Sequence, residues 1–433
     1  MNRRRLVRAA AVFAGLALFM TACGDDSPSS SATTTTAGGS DTTVGSATGA
    51  GDGVLTIGTL LPETGSLAFL GPPEIAGVQM AIEEINAAGG VLGEDIVLVE
   101  SDSGDTSTDI ANQSVDRLLE EGVDAIIGAA SSGVTLTVID KITDAGVIQI
   151  SPANTSTELT DHPDNGFYFR TAPPDVFQGG VLGDLFVEAD CARVGIFALD
   201  DPYGTGLADE VESAVTDAGG EVPADAKIIY DPQATTFDAE VQQMVGANPD
   251  CIGVFGFDES ARLVATMAEQ GIGPADVQVF GSDGNMGFAF GDQLDDASVL
   301  AGMRGTTPFG ERAFGEFGDR LLAFNPELRD LNYAGESYDA VILLALAAEQ
   351  AGSDDPAEMQ AVINDLTRGG EKCEDFAACL ALVQAGTDVD YDGIGGPLEF
   401  TDVGEPSVAS FGILEFDEAG QIIIPVEQFV IVE

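Results

Sequence analysis

From Val54 onward, short runs rich in Val, Ile and Leu alternate with amphipathic segments of helical spacing, and this rhythm most narrows what the chain can fold into. Residues 55–61 read as a strand, 72–88 as a helix closed by Gly89-Gly90, and 96–100 as the next strand. A helix over 106–121 ends at Gly122 before a strand over 124–128, and an amphipathic segment with Val134, Val138, Ile139 and Ile142 leads to a strand over 147–150. Such alternation argues for a parallel sheet covered by helices on both faces. Residues 167–171, followed by Pro173-Pro174, break the rhythm as a crossing strand or hinge would. A second series then runs through helices 176–189, 205–218, 237–247 and 259–270 and strands 194–199, 226–230, 251–256 and 277–281. After 302–308 come helical stretches near 311–324, 335–351, 356–367 and 374–385, then a hairpin-like end over 397–400, 410–416 and 421–432. Roughly 380 residues exceed what one core fills, so an α/β protein of two lobes is expected.

The segment before Val54 stands apart from this pattern. Arg3, Arg4, Arg5 and Arg8 precede an apolar run from Ala9 to Met20, and Thr21-Ala22 precede Cys23, an arrangement that resembles a lipoprotein signal peptide over residues 1–22. The resemblance implies cleavage before Cys23 and acylation of its sulfur, although Met20 stands where Leu is usual. Whether export runs through the Sec or the twin-arginine route is left open by the arginines. The lipidated Cys23 would then lead into a Ser/Thr/Gly tether over 23–53, and a body so tethered acts outside the cytoplasm, beside a membrane. The net charge of −57 disfavours nucleic acid and anionic lipid surfaces as partners. The acids form no long block, so a solvated surface, stabilised by salt, is the expectation.

Four cysteines lie in the body. Cys191 and Cys251 each sit near the start of a strand, Cys373 and Cys379 are close in sequence, and no histidine lies near any of them. Two disulfides in those pairings are expected, with no metal and no cofactor. The single histidine, His162, falls in a polar loop, and no nucleophile elbow, phosphate-binding loop or dinucleotide fingerprint is present, so an enzyme is not expected. Asp388, Asp390, Asp392, Gly393 and Glu399 fit a calcium-loop expression, but Gly395, Gly396 and Pro397 interrupt it and a strand is expected where the exit helix should begin.

The candidate binding groups sit at strand ends. Ser131-Ser132-Gly133 follow the strand at 124–128, and Ser151 to Thr155 follow the strand at 147–150; parallel neighbours would place Ser132 and Thr155 side by side. They read either as helix caps or as a receptor for a small carboxylate at a helix start. Asp283 ends the strand at 277–281, Tyr203 follows the first strand of the second series, and Phe257 the third. A turn aspartate is the alternative for Asp283.

From about Leu55 to the C-terminus the chain resembles the Leu/Ile/Val-type, type I periplasmic solute-binding proteins of ABC importers. The residues that carry the resemblance include Asn86-Ala87-Ala88-Gly89-Gly90, Ile127-Gly128 with Ser131-Ser132, Gln149-Ile150-Ser151-Pro152 with Thr155, Phe169-Arg170-Thr171, Tyr203-Gly204 and Gly396-Pro397-Leu398. It implies two Rossmann-like lobes, residues 54–171 with 307–410 and 172–306 with 411–433, joined by three crossovers near Thr171, Thr306 to Pro308, and Ser410 to Gly412. It further implies that Ser132, Ala153 (through its backbone N–H) and Thr155 hold an amino acid's carboxylate and that Asp283 pairs with its ammonium. Leu70, Tyr203 and Phe257 would line the pocket. Asp283 is one methylene shorter than the Glu frequent in the family, and Phe257 replaces a frequent tyrosine. The implied protein is an extracytoplasmic, lipid-anchored monomer that binds an amino acid or related carboxylate and serves a membrane permease. A sensory module of the same fold and, more remotely, a carboxylate-based hydrolase are the alternatives.

Overall fold

The computed structural model describes residues 51–423 and 429–432; the leader, Cys23 and nearly all of the expected tether lie outside the described residues. The first series folds as β1 (Thr56–Leu60), α1 (Gly71–Ala88), β2 (Val97–Val99), α2 (Ile110–Glu121), β3 (Ala125–Gly128), α3 (Ser132–Asp144), β4 (Ile148–Ser151) and β5 (Tyr168–Arg170). Its strands form an all-parallel sheet in the order β2-β1-β3-β4-β5. Every residue of β3 and β4 is buried, as expected for strands covered on both faces. Pro72 and Pro73 start α1, where a missing N–H costs nothing, and Gly122 in the left-handed region closes α2.

The second series supplies α4 (Asp175–Glu188), β6 (Val194–Leu199), α5 (Pro202–Asp217), β7 (Lys227–Tyr230), α6 (Asp238–Ala247), β8 (Cys251–Phe255), α7 (Ser260–Glu269), β9 (Gln278–Gly281) and β10 (Arg304–Pro308). Then follow α8 (Glu311–Phe314), α9 (Glu316–Phe324), α10 (Ala334–Ala351), α11 (Pro356–Ile363), β11 (Glu371–Cys373), α12 (Phe376–Gln384), β12 (Val389–Tyr391), β13 (Ala409–Phe416), β14 (Ile422–Ile423) and β15 (Phe429–Val432). The second sheet runs β14-β13-β10-β9-β8-β6-β7, with β15 on the free part of β13. Strands β7 to β10 are parallel, and β13 pairs antiparallel to β10.

Each sheet has its own apolar core. Phe186, Phe197, Phe255 and Phe280 fill the second, while Ile57, Ile127 and Ile150 join Leu343, Leu346 and Met359 in the first. Helices α10 and α11 therefore belong with the first sheet although they follow β10. Helix α10 is buried along almost its whole length and lies against α1, where Gly77 admits the backbone of Ala334. Among the described residues no helix is long and apolar enough to cross a membrane.

Local departures from the sequence expectations have physical causes. The helix expected over 311–324 breaks at Gly315, whose ψ of −124° leaves the helical region. The stretch 356–367 shortens to α11 plus a 3₁₀ turn at Asn364–Leu366. Residues 397–400, expected as a strand, are irregular except for a single bridge from Phe400 to Pro406. There the Phe400 backbone N–H donates to the Thr367 side chain at 2.9 Å instead of to a neighbouring strand. Both expected disulfides are formed, Cys191–Cys251 with Cα atoms 5.8 Å apart and Cys373–Cys379 at 5.3 Å.

Candidate functional site

Parallel pairing of β3 with β4 brings their C-terminal ends to one edge. The cap of α3 is Ser131, whose Oγ accepts from the Val134 N–H at 3.2 Å. Ser132 is thereby free of capping, and its Oγ instead accepts from the Ser156 N–H at 3.3 Å, tying the two loops together. At the end of β4, Ser151 Oγ donates to the Ala129 carbonyl (2.7 Å) and accepts from Asn154 N–H (2.9 Å) and, more weakly, Ala153 N–H (3.3 Å). The Ala153 N–H expected to hold a carboxylate thus has a partner within the protein. Thr155 is buried and its hydroxyl has none.

The facing wall comes from the second sheet. After β9 the chain turns at Ser282, held by Asn285, whose Oδ1 accepts from the Ser282 N–H at 3.0 Å. This turn presents Asp283. Its Oδ1 accepts from the Tyr203 hydroxyl at 2.9 Å and its Oδ2 from the Tyr333 hydroxyl at 2.7 Å. Tyr203 lies in the first turn of α5, and its ring stacks on Phe257 with centroids 5.3 Å apart and planes 12° apart. Burial raises the Asp283 carboxyl above the usual range, while the hydroxyls of Tyr333 and Tyr203 and the nearby Gln178 amide hold it down.

Leu70, Ser132 and Ala153 on one side meet Tyr203, Phe257 and Asp283 on the other around a narrow, nearly closed cleft with a cavity volume of only about 10 Å³. Of the sequence-derived site residues in the body, only Thr155 does not line it. Larger hollows elsewhere, such as one of about 370 Å³ beside His162 and Asp402, lie away from these groups. His162 Nε2 itself meets Asp140 Oδ1 at 2.9 Å.

Three contributors escaped the sequence reading. Tyr333 adopts a left-handed φ of 60° just before α10, which aims its hydroxyl at Asp283 from 50 residues away in sequence. Its place at the entry to a helix with a long apolar middle, from Ala340 to Ala348, was its one visible sign. Asp201 caps α5 by accepting from Tyr203 N–H at 3.0 Å and also faces Gly133 at the start of α3, where a Cβ would run into its carboxylate. Asp330, three residues before Tyr333, accepts from Asn332 N–H at 3.0 Å and from Ala289 N–H at 3.4 Å. Burial pushes both of these carboxyls up to about 6.

The calcium-like segment carries its own cation. Lys372 Nζ lies 3.0 Å from Asp390 and Asp392 and 3.1 Å from Glu399. Among the described residues no group of three His, Cys, Asp or Glu side chains is arranged to hold a metal ion.

Residues 54–421 match the family described as periplasmic binding protein. The chain is 31% identical over 316 residues to Leu/Ile/Val-binding protein homolog 1 of Brucella abortus, an alignment spanning 70% of this chain and 80% of the relative. The chemotactic signal transduction system substrate-binding protein BasB of Halobacterium salinarum is 26% identical over 381 residues, spanning 84% and 88%. Among solved structures, the branched-chain amino acid transporter substrate-binding protein LivJ of Streptococcus pneumoniae, in complex with isoleucine, aligns with a TM-score of 0.70 at 26% identity over 88% of this chain and 99% of that one.

Proposed function

The chain belongs to the periplasmic binding protein family, and from that premise we propose that it is an extracytoplasmic receptor that captures an amino acid, branched-chain or similar, and delivers it to an ABC transporter permease. In this reading Ser132, Thr155 and the start of α3 receive the α-carboxylate, Asp283 receives the α-ammonium, and Leu70, Tyr203 and Phe257 enclose the side chain. Acylation of Cys23 holds the receptor at the membrane, as a monomer on its tether. The observation that carries the reading is Asp283, pinned by two tyrosine hydroxyls and facing a hydroxyl-bearing wall across one narrow cleft. Burying both charges of a zwitterion is tolerable only where each is paired, and this arrangement offers a partner to each. Differential affinity for the closed arrangement drives closure, and the permease reads the closed shape.

A thermal-shift screen of the protein against leucine, isoleucine, valine, other amino acids, short carboxylates and polyamines tests this directly. Stabilisation by amino acids is expected; stabilisation only by compounds without a carboxylate would overturn the assignment. The likeness to BasB favours a second reading, in which the same capture informs a signalling partner. Loss of amino-acid uptake on deletion of the gene supports transport, and loss of a chemotactic response with uptake intact supports sensing. The relatives are binding proteins by name, in keeping with a chain that is not an enzyme.

A further inference from the structure

A few residues after β9 the chain reaches away from its own sheet and lies against parts of the other lobe. Phe290 anchors it, with its ring buried in the second core 6.1 Å from that of Phe416. The residues on either side of this anchor face elements that pack on the first sheet. Ala289 N–H donates to Asp330 Oδ2 at 3.4 Å, and the Phe288 N–H faces the same carboxylate. The Phe288 ring lies 5.8 Å from that of Phe314 in α8, which in turn stacks on Phe309. Asp292 meets Arg329 twice, at 2.6 Å and 3.3 Å. Gly287 makes the close approach possible: a Cβ there would stand 2.7 Å from Asp330 Oδ2 and 3.3 Å from the Phe69 ring.

We propose that Gly287 to Asp292 form a strap by which the second lobe clasps the first outside the ligand cleft, with Asp330 and Arg329 as its catch, and that release of this clasp governs escape of the bound ligand. The clasp works whichever ligand the cleft takes, because the cleft is lined by other residues, among them Leu70, Ser132, Tyr203 and Phe257.

Asp330 is built for this role. Its Oδ1 takes the N–H groups of Leu331 at 2.8 Å and Asn332 at 3.0 Å, which fixes the carboxylate within its own loop and leaves Oδ2 to the strap. The side chain is buried, so its bonds are sheltered from water, and hydrogen bonds to a carboxylate are stronger than those between neutral groups. Arg329 and Asp292 are 65% and 43% exposed, so their pair adds a smaller increment. With the lobes together, the cavity of about 10 Å³ has room for about one water, so a ligand enters or leaves only after the lobes part and the strap lets go. A contact made only in the closed arrangement stabilises closure with or without a ligand, and its loss speeds dissociation.

Chasing bound radiolabelled isoleucine with excess unlabelled isoleucine reads the dissociation rate. Asp330→Ala, which removes the catch, and Gly287→Ala, which wedges the strap off its seat, are each expected to speed release by at least ~10-fold. Arg329→Gln and Asp292→Asn are each expected to speed it by about twofold, and the double variant no further, because both remove the same pair. Release at the wild-type rate in Asp330→Ala and Gly287→Ala would overturn the clasp, and additive effects in the double variant would remove Arg329 and Asp292 from it. Should wild-type protein bind no isoleucine, the amino-acid reading falls, and small-angle X-ray scattering of the ligand-free proteins decides the clasp by itself. A larger radius of gyration in Gly287→Ala than in wild type supports it, and equal radii overturn it. Should Asp330→Ala fail to fold, Gly287→Ala and the exposed Arg329–Asp292 pair carry the test.

Discussion

Two clusters of acids in this molecule differ in where their positive charge comes from. Around β11 and β12, Asp390, Asp392 and Glu399 converge on Lys372, so the cation is part of the fold. In the cleft, Asp283 receives only neutral tyrosine hydroxyls. The first cluster is complete as it stands and does structural work. The second becomes complete only when something brings a cation, which is what a receptor for an ammonium group requires. Counting carboxylates would not separate the two; asking what neutralises them does.

The sharpest way to break this contrast is Asp283→Ala. Binding of amino acids should weaken by at least about 3 kcal/mol, because the ammonium is left without its charged partner. Calorimetry on the folded variant checks this, and unchanged affinity would make the cleft acids as structural as those around Lys372. The converse substitution, Lys372→Met, should lower stability by about 1–2 kcal/mol, a modest figure because the lysine is half exposed, and should leave ligand affinity untouched. A matched pair of denaturant melts and binding isotherms decides it. Tyr333→Phe should cost about 1 kcal/mol of binding, since Asp283 loses one of the donors that favours its charged form. The pH below which binding is lost should move upward with it.

The smallest expected effect concerns the uncompensated acids as a class. Burial pushes Glu336 to about 8, Asp124 to about 7, and Asp330, Asp339 and Asp201 to about 6. Each takes up a proton more readily folded than unfolded, so stability should fall as pH rises from about 4 through these values. The melting temperature should therefore be a few degrees higher at pH 5.5 than at pH 8.5, and molar sodium chloride should recover part of the difference by screening the net charge. A melting temperature independent of both would contradict this.

Much of the scaffold was legible because its signals are local. The apolar runs of β3 and β4, their spacing around α3 and the glycines that close α1 and α2 lie within a few residues of the elements they define. The hydroxyl wall followed from parallel pairing alone, although which of Ser131 and Ser132 capped the helix depended on loop geometry. Contacts between distant segments were not legible. Tyr333 reaches Asp283 through a left-handed backbone at a non-glycine residue. The calcium-like run illustrates the same limit, since its cation comes from Lys372 on a neighbouring strand outside the run.

The central claim is that this cleft lacks a cation and that an amino acid's ammonium supplies it. Titrating the wild-type protein with isoleucine and with its 2-hydroxy acid counterpart, which differs only in replacing the ammonium by a hydroxyl, isolates that charge. Isoleucine should bind at least ~100-fold more tightly, since the hydroxy acid leaves the buried acids unpaired. Equal affinity for the two, or preference for the hydroxy acid, would contradict the claim.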